Sequence, residues 1–79
     1  MANIHIEYFA ILREHVGRGT EDVDTDASTA ADLFEELNSR HHFPEIGRLK
    51  VAINDEFGEW DAVLADGDCV VFIPPVAGG

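Results

Sequence analysis

Thr29 to His41 carries a single apolar stripe, and that stripe limits the architecture more than any other feature of the chain. Ala30, Leu33, Phe34, Leu37 and His41 recur at helical spacing. Thr29 with Asp32 is the start pattern of a capped helix, in which a hydroxyl oxygen accepts from a backbone N–H that the helix leaves unpaired. The stripe fades from Asn38 to His42, and Pro44 rules out continuation. Elsewhere the pattern alternates with period two. In "NIHIEYF" Ile4, Ile6 and Tyr8 share one face while His5, Glu7 and Phe9 share the other. "LKVAIN" puts Leu49, Val51 and Ile53 together, and "CVVFI" separates Val70 and Phe72 from Cys69, Val71 and Ile73. "TEDVDT" reads as an edge-like strand. In "ILREHVG", Leu12 and Val16 lie one helical turn apart and Gly17 is placed to end the turn. Gly58 in "NDEFGEW" points to a hairpin between Ile53 and Trp60, and "ADGD" from Ala65 to Asp68 is a further turn.

One helix with one stripe can seal only one face of one sheet, so the order predicts a two-layer α+β domain. The expected fold is a mixed four- to five-stranded sheet with one main helix on one face, the ubiquitin-like β-grasp arrangement. The first and last strands, being the most apolar, are expected at the centre. Residues 1–75 form the expected domain and residues 76–79 a flexible tail. The helix leaves the opposite face open, and Phe9, Ala52, Val71 and Ile73 are expected on it. A contiguous apolar set of this kind is read as a partner surface, with Phe57 in the interface set. The competing reading is that a loop carrying Phe57 or Trp60 folds over it.

The 79 residues make one domain, and 16 acids against 5 bases give a net charge of −11. Nucleic acid and anionic membranes would repel such a chain, whereas a basic protein partner would attract it. A salty cytoplasm is another source of such acidity. No apolar run approaches the ~20 residues of a membrane span, and no charged leader with an apolar core opens the sequence. The expectation is a soluble, cytoplasmic protein. The one cysteine, Cys69, permits neither an intrachain disulfide nor a cysteine-pair zinc site.

The last strand runs straight into Pro74-Pro75, which must stop the ladder and favour an extended exit. From Pro74 to Gly79 the chain reaches at most about 20 Å. Val76, Ala77, Gly78 and Gly79 then form a slender arm, suited to a narrow channel, that ends in a carboxylate. "YFAILREHVG", "VAIN", "DGD" and "PPVAGG", in order over nearly the whole chain, resemble the small subunit of molybdopterin synthase, the MoaD type of sulfur carrier. The resemblance implies that the Gly79 carboxylate is adenylated from ATP by a ubiquitin-activating-type enzyme (MoeB type). A sulfur donor then converts it to a thiocarboxylate. The loaded tail enters the large subunit (MoaE type) and gives sulfur to cyclic pyranopterin monophosphate, forming molybdopterin within a heterotetramer. By the same resemblance Arg13 joins the partner interface. The chain is not expected to be catalytic alone, nor to hold a permanent cofactor.

The remaining polar features point elsewhere. His41-His42 are adjacent rather than one turn apart, no nearby spacing completes a metal site, and no metal is expected. Glu21, Asp22, Asp24 and Asp26 lack the glycine and glutamate of a calcium loop, with Ala27 and Leu33 in those places. Cys69 departs from the acid usual in the resembled family and is read as packing. Three other functions share parts of the pattern: a ThiS-type carrier for thiazole synthesis, a ubiquitin-like modifier joined through Gly79, and a plain binding module.

Overall fold

A computed structural model describes residues 1–44 and 48–75. The elements in chain order are β1 (Ala2–Tyr8), α1 (Ala10–Val16), β2 (Thr20–Thr25), α2 (Ala30–His41), β3 (Lys50–Ile53), β4 (Glu56–Gly58) and β5 (Cys69–Ile73). They make one mixed sheet in the order β2-β1-β5-β3-β4. β1 and β5 pair in parallel, His5 facing Cys69 and Tyr8 facing Phe72. The other pairings are antiparallel. This is the expected β-grasp layout, with five strands and with β1 and β5 inside the sheet.

The alternation read from the sequence sorts the two faces. Ile4, Ile6, Val70 and Phe72 are fully buried and Tyr8 nearly so, under Ala30, Leu33 and Leu37 of α2. α2 starts as expected: the Thr29 hydroxyl oxygen accepts from the Asp32 N–H at 3.2 Å. It runs to His41 although its stripe weakens earlier. His42 then turns left-handed (φ 52°), its N–H donating to the Asn38 carbonyl, and the Asn38 side chain accepts from the Phe43 N–H. A C-terminal cap thus replaces the missing apolar contacts.

One detail extends the sequence reading, Gly17 closing the turn as expected, and a second corrects it. The stretch after β1 is a true short helix, α1, with Leu12 fully buried and Gly17 closing it at φ 87°. The hairpin after β3 turns on Asn54 and Asp55, both left-handed (φ 53° and 71°), while Gly58 sits inside β4 opposite Val51. A two-residue turn with both centres at positive φ matches the strand twist, and asparagine and aspartate tolerate that region. Glycine drew the reading to the wrong position.

Aromatic rings finish the core. Trp60 stacks on Phe72 (centroids 6.0 Å apart, planes 8°), and Phe34 meets both edge-on. The Trp60 and Ala62 carbonyls accept from the Ala31 and Ala30 N–H groups, tying the loop after β4 to the start of α2. Trp60 is therefore committed to the helix side and does not cover the open face.

One polar network bridges the layers. The Glu21 carboxylate accepts from the Tyr8 hydroxyl (2.8 Å) and from His41 Nε2 (3.1 Å). Burial works to raise the Glu21 pKa, but these two hydrogen bonds together with the charges of His41 and Arg40 outweigh it and hold the group below its ordinary value. Burial, then the bond to Glu21, pushes the Tyr8 hydroxyl well up. Among the described residues no helix is long and apolar enough to cross a membrane.

Leu37→Ala is expected to cost about 3 kcal/mol in urea unfolding, because it removes a fully buried side chain under a rigid sheet. A depressed carboxylate pKa gives stability that is present above the unfolded value and lost as pH falls through the folded one. Glu21→Gln should therefore destabilise the domain by about 1–2 kcal/mol at neutral pH and flatten the acid limb of its stability curve. An unchanged acid limb would show that Glu21 does not carry this dependence.

Candidate functional site

Parallel pairing of β1 and β5 makes both strands end at the same edge of the sheet. Ile73 is the last residue of β5 and pairs with Lys50, the first of β3. Pro74, buried, and Pro75, exposed, follow it outward. Tyr8 ends β1 beside Phe72. Phe9 keeps extended dihedrals (φ −117°, ψ 150°), so its side chain continues the alternation away from Tyr8. The chain therefore leaves the domain from an inner strand, at an edge shared by Phe9, Ile73 and Lys50. Val76, Ala77, Gly78 and Gly79 lie outside the described residues.

Cross-strand register defines the open face, because directly paired residues point the same way. One row runs Phe57, Ala52, Val71, Glu7, Thr20 across the sheet. Ala52 and Val71 are its floor, only 7% and 6% exposed, so Val71 offers a partner little area. Phe57 stands clear at 73% exposed, with Lys50 Nζ 5.7 Å from its ring centre, and Phe9 is 50% exposed. The apolar surface near the tail exit is therefore carried mainly by Phe9, Phe57 and half-buried Ile73, with Lys50 among them.

Arg13 is placed differently. It is exposed on α1, its guanidinium end approaches Gly19, and it lines a separate depression with Ala10, Glu14, Gly17, Arg18 and Gly19. Phe57, Val71 and Ile73 gather on the sheet with Phe9 at their edge, whereas Arg13 does not lie on a strand. Lys50, a cation in an acidic chain, was missed. Its alternation with Leu49 and Val51 put it on the open face, and that signal was available.

At the far end of β5 the same face is polar. His5 faces Cys69 in register, and Glu7 follows His5 by one strand period. Ligand atoms of His5, Glu7 and Cys69 all lie within 4.8 Å of one another. His5 Nδ1 is 2.7 Å from the Asp22 carboxylate on β2. Burial, then the charges of Glu7 and Asp55, pushes the Cys69 thiol up, so it is no ready nucleophile. Next to it, Asp68 accepts from the Ala65 N–H and from the Asn54 amide, which hold its carboxyl below the usual range. These bonds fix the "ADGD" turn as architecture. The described residues hold no arrangement of base and activated nucleophile at the tail exit, where the structure instead exposes the Phe9 and Phe57 rings beside Lys50.

Comparison with known proteins agrees with this layout. The family model described as "ThiS family" matches residues 6–79. The molybdopterin synthase sulfur carrier subunit of Escherichia coli is 35% identical, aligned over 96% of this chain and 99% of that protein. The protein of the same name from Mycobacterium tuberculosis is 32% identical over the full length of both. Among solved structures, the small archaeal modifier protein 1 of Haloferax volcanii superposes with a TM-score of 0.82 at 29% identity, covering 96% of this chain and 100% of that one. This chain belongs to the ThiS family.

Proposed function

We propose that the chain is the sulfur-carrier subunit of a molybdopterin synthase. The observation that carries this reading is end-to-end likeness to proteins of that name in a fold whose inner strand runs directly into Pro74-Pro75 and the diglycine. The first 75 residues act as a rigid holder and residues 76–79 as the working arm.

The chemistry follows from what a carboxylate lacks. Gly79 ends in a poor electrophile. Attack of its carboxylate on the α-phosphate of ATP releases pyrophosphate and leaves an acyl adenylate. A donor at the sulfide oxidation level then displaces AMP, leaving a thiocarboxylate, a soft nucleophile. Inside the large subunit that sulfur passes to cyclic pyranopterin monophosphate, and water returns the tail to a carboxylate. Glycine at the last two positions lets the partner's backbone close around the acyl carbon. Acid, base and anion-binding groups belong to the partners, an adenylating enzyme of the ubiquitin-activating type and the large subunit. Dependence on ATP and on these enzymes places the reaction in the cytoplasm. In the assembled heterotetramer a small subunit docks at each end of a large-subunit dimer.

Phe9, Phe57 and Ile73 supply apolar contact area for docking, with Pro74 and Pro75 setting the direction of the tail. The acidic remainder of the surface steers the chain toward a basic rim on either partner. A second reading has support as well: the likeness to an archaeal modifier protein favours isopeptide transfer of Gly79 to lysines, which shares the adenylation step.

Incubation with the activating enzyme, ATP and a sulfur donor is expected to raise the intact mass by one oxygen-to-sulfur exchange, and deletion of Gly79 to abolish the gain. No gain under conditions that load an established carrier would sink the proposal. Isopeptide-linked Gly-Gly remnants on cellular lysines, without thiocarboxylate, would favour the modifier. Phe9→Asp should weaken large-subunit binding about tenfold or more, by bringing a charge into the docked collar. Phe9 is the N-cap position of α1 and makes no capping side-chain bond, and aspartate is a good cap there, so folding should be spared. Unchanged affinity would remove Phe9 from the interface.

A further inference from the structure

We infer that His5, Glu7 and Cys69 form a zinc site on the open face of the sheet, with one metal ion per chain. The set mixes nitrogen, oxygen and sulfur donors, the combination that suits Zn²⁺. Their ligand atoms lie within 4.8 Å of one another, and all three residues are partly exposed. A tetrahedral zinc needs such atoms roughly 3.5 Å apart. Glu7 and Cys69 leave the same face and are partly exposed, so these two turn toward His5, which Asp22 holds in place. The backbone beneath is the central parallel pairing, in which His5 faces Cys69 directly.

A second observation prepares the histidine. His5 Nδ1 lies 2.7 Å from Asp22 Oδ1. An ionised carboxylate can only accept, so Nδ1 is the nitrogen that carries the proton. In the neutral ring this leaves the Nε2 lone pair free for a metal. A carboxylate that holds one imidazole nitrogen while the other ligates is the usual outer partner of zinc-bound histidine. Glu7, Asp22 and Asp55 supply negative charge around Cys69 and His5, and the one lysine, Lys50, pairs with Ile73 at the opposite end of β5.

Binding displaces the Cys69 thiol proton to solvent and forms the Zn–S bond. In the bound form Zn²⁺ takes a neutral imidazole, a carboxylate and a thiolate, so the thiol proton leaves with each ion bound. Water completes the fourth position. Cys69 begins β5 and Ile73 ends it, so the His5–Cys69 pair stands about 13 Å from the tail exit, while Glu7, paired with Val71, lies nearer to it.

The full chain, reduced and metal-free, is titrated with Zn²⁺ against a chromophoric chelator, and with Co²⁺ as an optical stand-in. One ion per chain is expected, together with a thiolate-to-cobalt charge-transfer band and release of about one proton by calorimetry in buffers of different ionisation enthalpy. Cys69→Ser and His5→Gln should each weaken binding about tenfold or more, and Asp22→Asn by a smaller factor. His42→Asn, at an exposed position of α2's cap, should change nothing. Circular dichroism checks that each variant folds. Binding within about twofold of the unaltered chain in both Cys69→Ser and His5→Gln, absence of the band, or half an ion per chain from a bridged pair would each overturn the site.

Discussion

The parallel pairing of β1 with β5 is the contact on which the rest of the molecule depends. It joins the two ends of the chain through residues 64 apart, His5 with Cys69, and so requires the intervening chain to close around it. The reward is a doubly flanked pair whose inner face, Ile4, Ile6, Tyr8, Val70 and Phe72, is sealed by α2. Because β5 is inside the sheet, the diglycine segment is anchored to the best-protected strand. A pull on the tail is resisted by ladders on both sides, β1 and β3, rather than by a fraying edge.

The same pairing decides what the open face looks like. It lines up a tail-proximal end with Ile73 and Lys50, close to Phe9, and a distal end with His5 and Cys69, with Glu7 level with Val71 between the two. The first end suits a protein partner because its rings stand clear of the sheet. The second suits a cation because it gathers donors and negative charge. Val71, between them, is shut into the floor of the sheet and serves packing more than docking.

Much of this is legible in the sequence. Period-two alternation in β1, β3 and β5, with one capped helical stripe, dictated two layers and predicted which side chains enter the core. The end of α2 was harder to read, because His42 and Asn38 close it by hydrogen bonds that leave no apolar signature. The β3–β4 turn was misplaced because glycine is the usual mark of positive φ, and here Asn54 and Asp55 adopt it. The grouping of His5 with Cys69 was invisible, since local spacing says nothing about a contact made by strands at opposite ends of the chain. Phe57 and Trp60 lie close in sequence yet serve opposite faces, a split set by β4 register and by the loop that docks on α2. The docking role proposed for Phe9 and Ile73 rests on the layout, whereas the chemistry proposed for Gly79 rests on the family.

The most direct measurement is reconstitution of synthesis. Chain loaded as the thiocarboxylate is mixed with purified large subunit and cyclic pyranopterin monophosphate, and molybdopterin is assayed as thiocarboxylate disappears. The carrier account predicts that molybdopterin accumulates in step with conversion of the tail back to a carboxylate. A stable complex in which the thiocarboxylate persists and no molybdopterin forms would contradict it.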